Sequence, residues 1–399
     1  MWEQIRSNQI RSVVLTIGMG ALLILIGYFL GLAFGSATAG LVIALLIWAI
    51  LSLIGYFQGD SILLSMSGAK KISRDDHPRL YNVVEEMKIA SGLEKVPDIY
   101  IIDDPALNAF ATGRDPNKAS VAITSGLLQK LNRDELQGVI GHEISHIKNR
   151  DVLLMAMCSV VLGTIVLIAW YGSRFLFWGS MTGSRRSSSS RGGGQGQIII
   201  LVVALVFMIL APIFAQLIYF AISRKREYLA DASSALYTRY PEGLASALEK
   251  LGASTGQLKS ANQATAPMYI INPFRKKGLR ASDLTSTHPP ISERIRILRA
   301  MAGASFNDYD QAYRQIRGGK GVIPAASLAA ATAPIATIKL EGEAGELNEI
   351  QRARETSDVM WRLSNYHTIT CDCGAKLRVP PQFKEPQIKC PHCGRVHLV

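Results

Sequence analysis

"VIGHEISHIKNRDVLLMAM", residues Val139 to Met157, sets two signals side by side. His142 and His146 stand four residues apart, and seven residues after the second begins a segment apolar enough to enter a bilayer. On a helix, positions four apart share a face one turn apart, so both imidazoles can reach one tetrahedral zinc ion. Glu143 falls beside that ion, where a carboxylate can deprotonate the attacking water. The pattern His-Glu-x-x-His is short, and a solvated helical face with two ordinary histidines would also produce it. The surroundings have to separate the two readings.

The apolar segment belongs to a set of four: Ser12–Phe34, Ala37–Phe57, Leu153–Trp178 and Ile198–Ile222. Each is near or above the ~20 residues that cross a bilayer as a helix. None contains Asp, Glu or Lys, and Arg174 sits near the end of the third, where its head can snorkel to the interface. They account for a composition that is 48% hydrophobic, too apolar for four soluble core helices. The first block is too long for a signal-peptide core and is followed at once by the second, so it is expected to be retained. The net charge of +12 does not point to nucleic acid, because its carriers flank the blocks. Arg6, Arg11, Lys70, Lys71, Arg74, Lys148, Arg150, Arg224, Lys225 and Arg226 all fall on one side if the blocks form two hairpins. The positive-inside rule makes that side cytoplasmic. Arg185, Arg186 and Arg191, in a short Gly/Ser-rich loop, are the dissenters.

The hairpin predicts where a third ligand comes from. His146 is roughly 10 Å of helix from block three at 1.5 Å per residue. Block four returns to the same side and continues into "SRKREYLADASSA". Glu227, about five residues past it, reaches nearly the same height, and Asp231 follows one turn later on the same face. Glu227 is the expected third zinc ligand. Asp231 is the expected acceptor behind it, orienting a histidine through its other ring N–H. The two membrane helices then brace the halves of a site held about two turns from lipid.

Elsewhere, "HPRLYNVVEEMKIASGL" reads as an amphipathic helix ending at Gly92. "PDIYIIDD", "NAFATG" and "ASVAITSG" read as strands of a small sheet. "LNRDELQGVIGHEISHIKNRD" reads as a helix capped by Asn132. The expected organisation is residues 1–57 with hairpin one, 58–152 as the first catalytic part, 153–222 as hairpin two and 223–317 as the second catalytic part. An Ala/Gly/Pro-rich linker follows at 318–345, then a helix and separate module at 346–399.

Four motifs in order, "NAFATG", "GHEISHIKNRD", "SRKREYLADASSA" and "STHPPISERI", resemble the HtpX family of membrane-bound zinc endopeptidases over roughly residues 70 to 300. These are gluzincins, which join HExxH to a downstream E-x-x-x-D. The resemblance implies a zincin-like catalytic domain in which His142, His146 and Glu227 bind zinc, Glu143 is the base and Asp231 stands behind a ligand. It further implies that the strand through Asn108, Ala109, Phe110 and Ala111 pairs with substrate backbone. An exposed sheet edge binds extended peptides in that way, although "NAFATG" also fits an interior strand. His288 and Arg294 look like the family's pair that steadies charge on the tetrahedral intermediate; from the residues alone, His288 fits a helix cap equally well.

Cys371, Cys373, Cys390 and Cys393 form two close pairs with sixteen residues between them, in "CDCG" and "KCPHCG". Four thiolates so spaced suit a closed structural zinc site in a C-terminal zinc ribbon, with a tighter first knuckle than the usual C-x-x-C. Two disulfides are the alternative, disfavoured by the cytoplasmic side. Cys158 lies in block three as a small apolar residue.

The expected fold class is α+β: four transmembrane helices, a catalytic domain of a small sheet plus helices, and a zinc ribbon. The expected protein is a multi-pass zinc endopeptidase of the inner (plasma) membrane, catalytic domain and ribbon cytoplasmic, cleaving misfolded or surplus membrane proteins. Its partners are polypeptide substrates, the lipid bilayer and a protein docked at the ribbon, not nucleic acid. Two rivals stand: a maturation peptidase with one dedicated substrate, as in the related prenyl-protein endopeptidases, and a catalytically idle membrane scaffold. The intact Glu143 speaks against the second.

Overall fold

A computed structural model describes residues 2–33, 35–152, 224–254, 268–271, 288–329 and 346–399. It also describes isolated positions between 165 and 213, at 256, 258 and 259, and at 335–337. The third and fourth apolar blocks, Cys158 and the Arg185–Arg191 loop fall outside the described residues, apart from those isolated helical positions.

Helices α1 (Trp2–Ala33) and α2 (Ala37–Met66) form an antiparallel hairpin. Gly31 and Gly40 let the two backbones touch; a Cβ on Gly40 would stand 2.7 Å from the Gly31 Cα. The outward apolar faces, including Val42, Ile43, Leu46, Ile50 and Leu53, are exposed, as lipid-facing side chains are. Among the described residues α2 is the one helix both long and apolar enough to span a membrane, and α1 contributes a shorter apolar stretch, Gly20–Leu32.

Helix α2 does not stop at Phe57 as the apolar pattern suggests, but runs on to Met66. Leu63 and Leu64 are buried there against Ile102, Phe110, Met268 and Tyr269. The end of α2 is thus packed into the same cluster as the strand residues Ile102 and Phe110.

The sheet order is β1-β2-β4-β3, with β1 (Ala69–Lys71), β2 (Asp98–Ile102), β3 (Ala109–Gly113) and β4 (Ala119–Thr124). β2 and β4 are parallel; the outer pairings are antiparallel. Both β3 and β4 are buried at every residue, because helices cover the sheet. Helix α3 (Pro78–Ser91) ends at Gly92, which takes the left-handed conformation at φ 70°. Short α4 (Ser125–Lys130) leads into α5 (Arg133–Lys148), which packs against β3, α3 and α6 (Pro241–Ala253). Residues 224–238 are helical too. Helices α7 (Ile291–Arg299) and α8 (Phe306–Arg317) follow, α7 packing against both α6 and α8. Helix α9 (Glu349–Leu363) crosses onto α4, followed by two two-stranded sheets, β5 (His367–Thr370) with β6 (Lys376–Val379) and β7 (Gln387–Lys389) with β8 (Val396–Leu398).

Candidate metal centre

Helix α5 carries the histidines and is fixed at both ends. Asn132 accepts from the Glu135 N–H at 2.8 Å while the Glu135 carboxylate accepts from the Asn132 N–H at 2.9 Å, a reciprocal cap. Lys250 of α6 donates to the same carboxylate at 2.7 Å. At the far end the helix stops at Lys148, short of the expected run to Asp151. The Asn149 N–H and side chain both bond Ser145, and Arg150 turns the chain with φ 57°. The metal motif is therefore separated from block three by a turn.

That turn has a chemical result. It swings Asp151 back so that its carboxylate accepts from the His146 Nδ1 at 3.2 Å. His142 Nδ1 makes the matching contact with Asp231 Oδ1 at 3.0 Å. Each ring thus spends its N–H on a carboxylate, and the two Nε2 atoms, both lone pairs, converge to 3.2 Å. Two acceptors facing each other need a positive charge between them. Glu227 supplies the third donor, its oxygens 3.6 Å and 3.5 Å from the His142 and His146 Nε2 atoms. One donor atom from each residue lies within 4.8 Å of the others, and all three residues are buried. This donor set, two imidazoles and a carboxylate, is the three-ligand set of a catalytic zinc site. The surroundings favour positive charge as well. The carboxylates of Glu227, Asp231 and Asp151 surround the two rings.

The helical run 224–238 delivers Glu227 and Asp231. It is locked to α5 by the Ser234 hydroxyl, which donates to the Gly138 carbonyl at 2.6 Å. Gly138 is required there for a second reason: a Cβ would stand 2.6 Å from the Leu244 backbone nitrogen of α6. Glu143 is buried beside the cluster, and burial raises its pKa above the ordinary carboxylate value, the direction that suits a general base near neutral pH.

His288 and Arg294 both reach the centre, by different routes. His288 Nδ1 lies 2.8 Å from Glu227 Oε2. Arg294 is fully buried, forks onto Asp231 at 2.6 and 2.8 Å and donates to the Ile270 carbonyl at 3.3 Å. Its guanidinium thus stands behind a histidine, on the carboxylate that orients it. Asp151 has a similar neighbour in buried Arg226, whose Nε is 3.5 Å from Asp151 Oδ1. Asp151 and Arg226 are additions to the expected set; an acid five residues after the second histidine was the available signal.

Asn108, Ala109, Phe110 and Ala111 lie at the sheet edge, against α5. The Asn108 carbonyl accepts from Thr124 N, and the Asn108 amide group donates to the Ile271 carbonyl. Ile270 N donates to the Ala109 carbonyl at 2.9 Å, so the chain itself occupies the start of that edge. Phe110 points into the cluster with Tyr269 and Leu63.

The family model for peptidase family M48 matches residues 74–302. Two similar proteins, each described as a protease HtpX homolog, come from Dictyoglomus turgidum and Streptococcus uberis. The first is 44% identical over 300 residues, covering 75% of this chain and 94% of the relative. The second is 42% identical over 302 residues, covering 75% of this chain and all of the relative. Among solved structures, S. mikatae Ste24p matches 75% of this chain and 67% of its own at 18% identity, with a TM-score of 0.39.

Proposed function

The chain belongs to peptidase family M48 and, within it, to the HtpX-type proteases, and from that premise we propose that it cuts misfolded or surplus membrane proteins at the cytoplasmic face of the membrane in which it sits. It is a metalloprotease. The observation that carries the proposed site is the convergence of the His142 and His146 Nε2 atoms and Glu227 beside buried Glu143.

His142, His146 and Glu227 would hold zinc, which when bound polarises the scissile carbonyl and acidifies a water. Glu143 takes a proton from that water and passes it to the leaving amine. His288, adjoining Glu227, is assigned to the negative charge that develops on the former carbonyl oxygen. Arg294 is assigned a positioning role instead, since its fork is spent on Asp231. Substrate backbone is assigned to the outward edge of β3 at Ala111, beyond the bond made by Ile270. A site this close to a membrane helix can reach chain segments emerging from lipid. That favours membrane proteins as substrates.

The orientation is testable in intact cells with Asp75→Cys, on the exposed turn after β1. We expect a membrane-impermeant maleimide to label it only after the membrane is opened. Labelling in intact cells would place the catalytic domain outside and remove the quality-control reading with it.

A further inference from the structure

We propose that the four C-terminal cysteines hold a second zinc ion, in a closed thiolate site that folds a strap clamped across the catalytic domain. The site lies outside the matched family region, 74–302, and does not rest on the peptidase reading.

The sulfur geometry selects a metal over disulfides. Cys371 and Cys393 have their Sγ atoms 3.4 Å apart, and Cys373 and Cys390 theirs 3.7 Å apart. A disulfide requires about 2.05 Å. A tetrahedron of zinc–sulfur bonds near 2.3 Å has sulfur–sulfur edges of about 3.8 Å. All four sulfurs fall within 4.8 Å of one another.

The backbone is shaped to match. Cys371 N donates to the Ala375 carbonyl and Gly374 N to the Cys371 carbonyl, both at 2.8 Å. Cys390 N donates to the Arg395 carbonyl at 2.7 Å and Gly394 N to the Cys390 carbonyl at 2.9 Å. Gly374 at φ 83° and Gly394 at φ 77° supply the left-handed turn in each knuckle. The C-x-C and C-x-x-C loops thus close in the same way despite the missing residue. Backbone N–H groups of Cys393 and His392 aim at the Cys390 sulfur.

The module cannot fold on apolar burial alone. Its buried cluster is small, Cys371, Leu377 and Cys390 with Ile369, Ala375 and Ile388 packed against it and Val379 buried besides, and two-stranded sheets are marginal by themselves in water. Metal binding then supplies folding free energy. Four sulfurs leave no open coordination position, so the role is structural.

What the fold secures is α9. On one side Asp358 bonds Lys376 at 2.5 Å and Arg378 at 2.8 Å, and Arg378 stacks 5.2 Å from the Trp361 ring. On the other, Glu355 bonds Arg79 at 3.3 Å, Arg352 donates to the Gln129 carbonyl at 3.2 Å, and Val359 enters the main core. Gln129 belongs to α4, which leads directly into the cap of α5. The thiolate site therefore stands behind a helix that leans on the start of the metal-motif helix.

The test uses the full chain purified in detergent with zinc present. Wild type should hold two zinc ions per chain by elemental mass spectrometry. H142A/H146A should hold one, released by a thiol-specific mercurial. Cobalt-loaded H142A/H146A should show a sulfur-to-cobalt charge-transfer band that C390S/C393S lacks. Hydrogen exchange over residues 349–363 should be faster in C390S/C393S than in wild type. A metal-free H142A/H146A, or one without the charge-transfer band, overturns the site even if the cysteine variant fails to fold. Unchanged exchange over 349–363 in a folded C390S/C393S overturns the strap.

Discussion

At the scale of residues, the centre is built from two parallel relays. His142 rests on Asp231 and Arg294, and His146 rests on Asp151 with Arg226 beyond it. Ligand histidines held through their outer N–H lose metal affinity 10–100-fold when that acceptor goes. Asp151→Asn should therefore weaken zinc binding by about that factor, measured by competition with a chromophoric chelator. Unchanged affinity would show that Asp151 does not orient His146. Four-residue helical spacing made two pairs legible, His142 with His146 and Glu227 with Asp231; their meeting was expected from a hairpin that lies, isolated positions apart, outside the described residues. The sequence hid Asp151, whose contact depends on the chain leaving the helix at Asn149 and taking a left-handed turn at Arg150, a non-glycine residue. Arg226 was legible only as a topology charge, since nothing local marks it as buried.

At the scale of elements, caps and close approaches decide the geometry. His77 caps α3 by accepting from the Leu80 N–H at 3.3 Å, which requires a neutral ring. Burial, aided by the charge of Arg79, lowers its pKa to about 4 from 6.5, although Glu355 lies 3.6 Å away; Arg79 already engages that carboxylate. A depressed folded-state pKa means the unfolded chain binds the proton more readily. Stability is then fully present above about pH 6.5 and is lost as pH falls toward 4, by up to about 3 kcal/mol. His77→Asn keeps a cap acceptor without the titration, so its thermal midpoint should fall less than that of wild type between pH 7 and 4.5. Equal losses would rule His77 out as the source. Gly138→Ala should cost about 1–3 kcal/mol, because the clash is with the Leu244 backbone rather than a movable side chain. A wild-type thermal midpoint in that variant would contradict the packing of α5 on α6. Strands β2, β3 and β4 were legible from short runs rich in Ile, Val, Ala and Thr set between turn residues. Strand β1 was not: Ala69–Lys71 is three residues long, with two lysines, and its strand pairing is with β2.

At the scale of the whole molecule, membrane anchor and catalytic unit are continuous. The apolar pattern ends at Phe57 because Gln58, Gly59 and Asp60 follow, but α2 carries on until Leu63 and Leu64 are buried beside Phe110 of β3. Ser67 Oγ then meets Tyr269 Oη at 3.2 Å. Helix α2 thereby bears on the strand assigned to substrate. That coupling was invisible in the sequence, since it joins residues some two hundred positions apart. The central claim, that a zinc-dependent peptidase operates through Glu143, is tested most directly by cleavage of an unfolded protein with detergent-solubilised enzyme, zinc content measured in parallel. Wild type should cleave with zinc and stop with chelator, while Glu143→Gln, still loaded with zinc, should lose the cleavage at least about 100-fold. Undiminished cleavage by zinc-loaded Glu143→Gln would contradict the account.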